Sequence, residues 1–354
     1  MSVEVRVYNP DLELQGIIDE FSSLIWIRRY QGAGEFELHT PYSEESRSLL
    51  VAGNIVQKYD GKTVLEAGII EYLKMSKDEI VVKGRFLEIL LDMRAATLFA
   101  SSSYSGTAEV ILRDIISDII YSEYRAIPLL ELGPFNNLSE TIQFQVSAKI
   151  ILPVFSKVCR ATALGFRIYP DFTARKLYFE VYKGADRASD SSSKVIFSET
   201  YNNLMNEVYT YDNTNYRTAG FAHQTINDHI YIVPTAGSSV TGLDRREIFI
   251  QTSIDSENKT GAEIQLAMYK AAVNALKNYA ISETFTFSTD VDATFKYRED
   301  YDLGDLVIIN HIAWDIYQTR RITEIEEDYE GGTVNVILTC GDPLPETIDF
   351  KEGY

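Results

Sequence analysis

Apolar and polar residues alternate along much of the first hundred residues, which is the period of β-strands with one buried face. The alternating segments are residues 24–30, 36–38, 54–56, 69–72 and 80–82, with turns at Gly32-Ala33-Gly34 and Asp60-Gly61. A turn between two alternating segments predicts a β-hairpin. The region is therefore predicted to be a small antiparallel unit.

After about residue 100 the apolar spacing changes to three and four, the period of an amphipathic helix. It predicts one helix that begins behind Ser105 or Thr107 and reaches Ile119. A second helix is predicted over residues 151–158, because Pro153 is tolerated near a helix start. Alternating segments then predict strands, so residues 101–190 are predicted to form an inserted α+β domain.

The most linker-like segment is residues 186–193, which are small, polar and without apolar anchors. Strands resume at Val195, a long helix is predicted from about Gly261 to Ala280, and the last strand pattern ends at Leu338. We therefore predict three domains: a first β-barrel domain at 1–100, the α+β domain at 101–190, and a second β-barrel domain at 191–354 that includes the long helix.

The first and last strand-rich regions share a pattern. Gly53-Asn54 opens an apolar strand and Ile70 follows 17 residues after Gly53, whereas Gly304-Asp305 opens another and Ile322 follows 18 residues after Gly304. Either the chain carries two similar barrels, or these dipeptides are common turn chemistry. If the duplication is real, the predicted fold class is α+β and β-rich, with two antiparallel β-barrel domains. A trimer of such chains would present six similar barrels in a ring.

Composition excludes several classes of protein. The chain has 33 basic and 52 acidic residues and a formal net charge of −19, which repels nucleic acid and predicts no stable nucleic-acid binding. No window approaches the 18 or more apolar residues of a membrane span. The N-terminal residues alternate like a strand and lack the apolar core of a secretory signal, so synthesis in the bacterial cytoplasm is expected.

Motifs for catalysis or metal binding are missing from the sequence. Cys159 and Cys340 are far apart and predict neither a disulfide framework nor a zinc site. The four histidines form no H-E-x-x-H motif, and His223 and His229 are separated by five residues in a predicted strand-and-turn region. We predict no catalytic, cofactor-binding or metal-binding residues, no cofactor and no enzyme activity.

Short blocks along nearly the whole chain resemble a known family. They are residues 16–19, 23–30, 34–38, 53–56, 66–72, 82–87, 181–187, 195–198, 241–247 and 297–305. In this order they resemble phage tail-tip and baseplate hub proteins, the siphophage tail-associated lysin hub-like family, which is similar to the central hub of contractile tails. No single block is diagnostic, and the agreement of their order carries the resemblance.

The resemblance implies a homotrimer with two tube-forming β-barrel domains that caps the tail tube and adapts six-fold to three-fold symmetry. It implies as neighbours a distal tail or tail tube protein, the tape measure protein, and a tail fibre or spike. The expected location is the tip or baseplate of a virion tail or a phage tail-like particle. Longer relatives often add a C-terminal peptidoglycan hydrolase or a fibre-binding extension, and because this chain ends at Tyr354, such an activity is expected elsewhere.

Candidate contacts between subunits, or with the tube, lie at predicted hairpin tips and turns. They are Trp26, Arg28, Arg29, Asp244, Arg245, Arg246 and Asp305. For each of them, stabilisation of the fold is the alternative role. Two alternative functions also remain open: a carbohydrate-binding module for the host surface, and a cell-wall hydrolase.

Overall fold

The computed structural model describes residues 3–61, 65–96, 102–146, 149–189, 193–226, 228–234, 239–252, 254, 259–289 and 294–342. The first region folds into seven strands and one short helix. They are β1 (Glu4–Tyr8), β2 (Leu14–Ile18), β3 (Ser23–Arg29), β4 (Glu35–Pro41), α1 (Glu44–Leu49), β5 (Ile55–Tyr59), β6 (Gly68–Met75) and β7 (Glu79–Phe86). The two predicted hairpins are confirmed, since β3 pairs with β4 and β5 pairs with β6.

The middle region contains two helices that pack against short strands. Its elements are β8 (Ser102–Thr107), α2 (Ala108–Ile120), β9 (Leu130–Leu132), β10 (Thr141–Val146), α3 (Ile151–Thr162), β11 (Gly165–Asp171) and β12 (Lys176–Tyr182). Both predicted helices are confirmed, and Pro153 lies in the first turn of α3, where its missing N–H costs no hydrogen bond. The apolar faces of α2 and α3 share one core with β11 and β12.

The last region contains nine strands and the long helix. They are β13 (Ile196–Ser198), β14 (Met205–Asp212), β15 (Ala219–Ile226), β16 (His229–Pro234), β17 (Glu247–Gln251), α4 (Gly261–Leu276), β18 (Ser282–Thr289), β19 (Leu306–His311), β20 (Ile316–Glu330) and β21 (Thr333–Asp342). A capping box between Thr260 and Glu263 starts α4, which packs on the small sheet β16-β15-β17. None of the described helices is long and apolar enough to cross a membrane.

The predicted linker at residues 186–193 packs closely against β19 where it is described. Asp186 forms a bridge with Leu306, and the backbone N–H of Arg187 donates to the carbonyl of Leu306 at 2.9 Å. Residues 190–192 lie outside the described residues. The segment therefore has polar composition but an ordered, hydrogen-bonded start.

One 13-stranded sheet runs through both strand-rich regions. Its main path is β14-β18-β21-β20-β3-β4-β7-β6-β5-β1-β2, and β19 and β13 lie off this path beside β20. The two regions meet where β20 pairs antiparallel with β3, from Glu324 opposite Arg29 to Glu330 opposite Ser23. Each region keeps its own apolar core on either side of this junction.

The same five-strand order occurs in both regions. The first unit pairs its strands in the order β5-β6-β7-β4-β3, and the second unit pairs them in the order β19-β20-β21-β18-β14. Within each unit, the three strands nearest the C-terminus form a meander. The small sheet β16-β15-β17 and α4 are inserted between β14 and β18 of the second unit. An insertion between two neighbouring strands leaves the order of the unit unchanged.

Local geometry supports the correspondence that the sequence pattern predicts. Gly53 has a φ of 89° and donates its N–H to the carbonyl of Ile70 at 2.9 Å. Gly304 has a φ of 93° and donates its N–H to the carbonyl of Ile322 at 2.9 Å. Both glycines occupy a left-handed backbone conformation that other residues rarely adopt. The Gly-Asn and Gly-Asp turns thus open equivalent hairpins in equivalent places.

The predicted β-rich α+β fold is confirmed. Among the described residues the large sheet is open and does not close into a barrel. The two predicted barrels therefore correspond, in this structure, to two similar units of one continuous sheet. The closed form of each unit and the three domain boundaries stay predictions.

Candidate functional site

A cluster of charged side chains, most of them buried, lies where the two units meet, and we refer to it as the junction cluster. It consists of Arg28 on β3, Lys58 on β5, Glu66 before β6, Tyr297, Arg298 and Asp302 between β18 and β19, and Glu327 and Tyr329 on β20. Three of these side chains are cations and three are anions. Residues of the first unit thus bind directly to residues of the second.

Arg28 is the centre of one half of the junction cluster, and its side chain is only 6% exposed. Its Nε donates to Glu66 Oε1 at 2.6 Å, and its Nη1 donates to Asp302 Oδ1 at 2.5 Å. The same Nη1 donates to the hydroxyl of Tyr297 at 2.6 Å. The guanidinium of the first unit is therefore neutralised by one carboxylate from each unit.

Glu327 is the centre of the other half. Its Oε2 pairs with Lys58 Nζ, and both side chains are almost fully buried, Lys58 at 0% and Glu327 at 2% exposure. Its Oε1 accepts from Arg298 Nη2 at 3.1 Å and from the Tyr297 hydroxyl at 2.9 Å. Since Tyr297 also accepts from Arg28, its hydroxyl joins the two halves into one hydrogen-bonded network.

Burial and charge act in opposite directions on the two buried carboxylates. Burial alone would raise the pKa of Glu66, but Arg28, Arg298 and Lys58 outweigh it and lower that pKa to about 2. Burial would also raise the pKa of Glu327, yet the charges of Lys58 and Arg298 lower it below the usual range. Both groups are therefore ionised at neutral pH, and the junction is ionic.

Four of the predicted contact residues make contacts within the subunit. The indole of Trp26 is fully buried against Phe86, with 4.5 Å between ring centroids. Arg28 belongs to the junction cluster, and Arg29 Nε binds Glu324 Oε2 at 2.8 Å across the β3·β20 pairing. Asp305 is buried and accepts from the backbone N–H of Ala185 at 2.7 Å. In this subunit Arg28 and Arg29 link the two units, Asp305 links the second unit to the middle region, and Trp26 stabilises the core of the first unit.

The other three predicted contact residues lie in a turn before β17, far from the junction cluster in sequence. Asp244 is exposed, and Arg245 Nε binds Glu247 Oε1 at 2.5 Å. Arg246 Nη1 donates to the carbonyl of Asn213, just after β14, at 2.6 Å. Whether any of the seven contacts another subunit stays a prediction.

Residues 4–342 match the family of the Siphovirus ReqiPepy6 Gp37-like protein. The chain belongs to this family. It is therefore a phage tail protein, and the predicted relationship to tail proteins is confirmed. No curated protein matches the chain significantly.

Solved structures with the same fold are also tail proteins. The tail protein from Neisseria meningitidis MC58 is 14% identical, with a TM-score of 0.61 and coverage of 97% of each chain. The prophage MuSo2 43 kDa tail protein from Shewanella oneidensis is 9% identical, with a TM-score of 0.55, 95% of this chain and 98% of that chain covered. Prophage tail protein gp18 from Listeria monocytogenes EGD-e is 12% identical, with a TM-score of 0.53. The match covers 98% of this chain and 96% of that chain.

Most members of the junction cluster were not singled out from the sequence of this Gp37-like chain. A charged residue in a strand is ordinarily interpreted as solvent-exposed, because buried charges are rare unless they are paired. One signal was available for Glu327, which alternates with Ile325 and Tyr329 and so shares the inward face of β20. No comparable local signal exists for Lys58, since four successive residues of β5 are buried.

A second cluster has the residue types of a metal site. Glu199, Glu207 and His311 each offer a ligand atom, and these atoms lie within 4.8 Å of one another. His311 Nε2 is 3.1 Å from Glu207 Oε1, while His311 Nδ1 accepts the backbone N–H of Trp314 at 3.2 Å. Nδ1 is therefore unprotonated and Nε2 carries the proton, which leaves Nε2 without a lone pair for a metal. In this tautomer the cluster is a hydrogen-bonded link between β19 and β14.

Glu88 is a buried carboxyl beside the junction cluster. Its Oε1 accepts from the backbone N–H of Ile168 at 3.1 Å, and its Oε2 has no hydrogen-bond partner among the described residues. Burial raises the pKa of Glu88 to about 8. The carboxyl is therefore protonated at neutral pH, and Glu66, which lines the same small cavity, is ionised.

Replacing Glu327 by Gln is expected to weaken the junction strongly. The variant leaves Lys58 buried beside a neutral amide, and breaking a buried ion pair costs about 3–5 kcal/mol of unfolding free energy. Urea unfolding measures the loss, with the exposed Glu330→Gln on the same strand as the matched control. Equal stability of the two variants would show that the cluster does not hold the units together.

Replacing Glu88 by Gln is expected to remove a pH dependence of stability. The pKa of Glu88 is raised in the folded state, so between about pH 4.5 and pH 8 the folded chain binds one proton more than the unfolded chain. Rising pH then lowers the wild-type unfolding free energy relative to Glu88→Gln by up to about 1.4 kcal/mol per pH unit. Urea unfolding across this range measures the difference, and Glu45→Gln, at an exposed position, is the control. Parallel pH curves for wild type and Glu88→Gln would contradict this role.

Proposed function

We propose that this chain is the hub at the tip or baseplate of the tail, where it forms a homotrimer that caps the tail tube. The observation that carries the proposal is the duplicated five-strand unit, β5-β6-β7-β4-β3 and β19-β20-β21-β18-β14. Three chains with two units each supply six similar units around one axis. Such a ring fits a six-fold tube on one side and three-fold components on the other.

The junction cluster supports this role because a ring needs a fixed angle between neighbouring units. Within one chain, β3·β20 pairing sets the register, and the ion pairs of Arg28 and Glu327 link residues of both units. A buried, hydrogen-bonded network has one favourable geometry, so the two units behave as a rigid pair. Rigid pairs assemble into a closed ring with less loss of conformational freedom than loosely tethered units.

The proposed hub works by geometry and has no catalytic step. Its neighbours on the tube side are the distal tail or tail tube protein and the tape measure protein, and a tail fibre or spike binds on the opposite side. Cell-wall hydrolysis, where the particle needs it, belongs to another component. The acidic excess of the chain is consistent with a hub that DNA passes without binding.

The oligomeric state tests the proposal. Three chains of 40.1 kDa give a particle of about 120 kDa, measured by native mass spectrometry with the tube protein present and absent. We expect three copies of the chain per particle at least in the sample that contains the tube protein. We also expect electron-microscopy class averages of the particle to have three-fold symmetry. A chain that stays monomeric in both samples, or that forms a dimer, contradicts the proposal.

A further inference from the structure

Each of the two duplicated units leaves a strand edge without a partner among the described residues. The first is the edge of β14 that faces away from β18. The second is the edge of β6 beyond Ile70, because β5 covers β6 only at Gly68 and Ile69. Unpaired edges present free backbone N–H and C=O groups, so each of them is a template for another strand.

The unpaired edge of β6 in the first unit has a counterpart in the second unit, and there the edge is covered by another strand. The strand of the second unit that corresponds to β6 is β20, and β20 is covered by β3 over Glu324–Glu330. Both strands have a register shift at the same place, between Ile70 and Tyr72 in β6 and between Ile322 and Glu324 in β20. Residues 72–75 of β6 therefore correspond to residues 324–327 of β20, where the covering strand lies.

The strand that corresponds to β3 is β14, the owner of the first unpaired edge. Both are the outermost strands of their units: Trp26 of β3 lies opposite Phe36, and Tyr209 of β14 lies opposite Phe285. Phe36 on β4 and Phe285 on β18 occupy equivalent positions, because each lies opposite the same place on the next strand of its unit, β7 or β21. The unpaired edge of β6 is thus the counterpart of the β20 side of the β20·β3 junction, and the unpaired edge of β14 is the counterpart of its β3 side.

We propose that a second copy of this chain fills these edges, with β14 of one subunit pairing antiparallel with β6 of the next. This inference rests on the proposed trimer and names the strands that join its subunits. Three such contacts close a ring in which β20·β3 junctions within chains alternate with β6·β14 junctions between chains. The strand β2 is also an edge, but it has no counterpart in the second unit.

The side chains on the two edges suit a contact between subunits. Tyr72 and Met75 on β6 are each 49% exposed, and Val208 and Tyr211 on β14 are 56% and 51% exposed. Apolar side chains along an open edge favour pairing with another chain. The junction within the chain places Arg28 opposite Ile325, whereas the corresponding place between chains receives Tyr211 opposite Leu73. At this place the contact between subunits is therefore apolar, whereas the contact within the subunit carries the buried guanidinium of Arg28.

The register of the β20·β3 pairing identifies a position for a cross-link. Tyr30 donates its N–H to the carbonyl of Thr323, which makes these residues a hydrogen-bonded pair. Because hydrogen-bonded and non-hydrogen-bonded pairs alternate, Glu326 and Ile27 form a non-hydrogen-bonded pair. Their counterparts are Lys74 on β6 and Thr210 on β14. Side chains of such pairs lie close enough for a disulfide.

The test introduces Lys74→Cys and Thr210→Cys together into the full chain, in the trimer assembled with its tube protein. Both positions are exposed, and the native Cys159 and Cys340 are buried. After mild oxidation, we expect most of the chain to shift to covalent dimer and trimer on a denaturing gel without reductant. Each single variant should remain largely monomeric on the same gel, and reductant should reverse the shift.

The control pair is Gln15→Cys with Thr210→Cys, which reports pairing of β14 with the exposed edge of β2. A trimer in which only this control pair cross-links overturns the β6·β14 contact but leaves the proposed function standing. A trimer in which neither pair cross-links does the same. Failure to assemble even without cysteines, with or without the tube protein, instead overturns the proposed function and the inference together.

Discussion

The antiparallel pairing of β20 with β3 is the constraint on which the rest of this structure depends. It joins the two strand-rich units into one continuous sheet through two strands that are almost 300 residues apart in sequence. The pairing brings Arg28, Lys58 and Glu66 of the first unit against Arg298, Asp302 and Glu327 of the second. Since each buried charge is paired, the cost of removing it from water is offset within the junction. The pairing and these ion pairs together fix the relative orientation of the two units.

The elements of the fold were largely predictable, because hydrophobic periodicity is a local signal. The alternation at β3 and β4 and the three-and-four spacing of α2, α3 and α4 all correspond to observed elements. Even the distant repeat was visible, since Gly53 and Gly304 are the left-handed residues that open equivalent hairpins. The β20·β3 pairing was not predictable, since a contact between residues so far apart leaves no local pattern. For the same reason Lys58, Glu66 and Glu327 could not be recognised as partners.

The duplicated unit also shows how two equivalent positions acquire different chemistry. Arg28 on β3 and Tyr211 on β14 are counterparts, yet Arg28 is buried in an ion-pair network and Tyr211 is half exposed. Loops explain part of the difference, because the segment between β18 and β19 supplies Tyr297, Arg298 and Asp302 to the network. In the proposed ring this difference disfavours pairing of the wrong strands, because a strand without the partners of Arg28 leaves a buried charge unpaired.

The central claim is that each Gp37-like chain contributes two equivalent units to a ring around the tail axis. A cryo-electron microscopy reconstruction of the intact tail tip, computed without imposed symmetry, measures this most directly. Our account expects three copies of the chain on the axis, with six strand units spaced at about 60°. A position away from the axis, a copy number other than three, or two units of each chain at unrelated distances from the axis would contradict it.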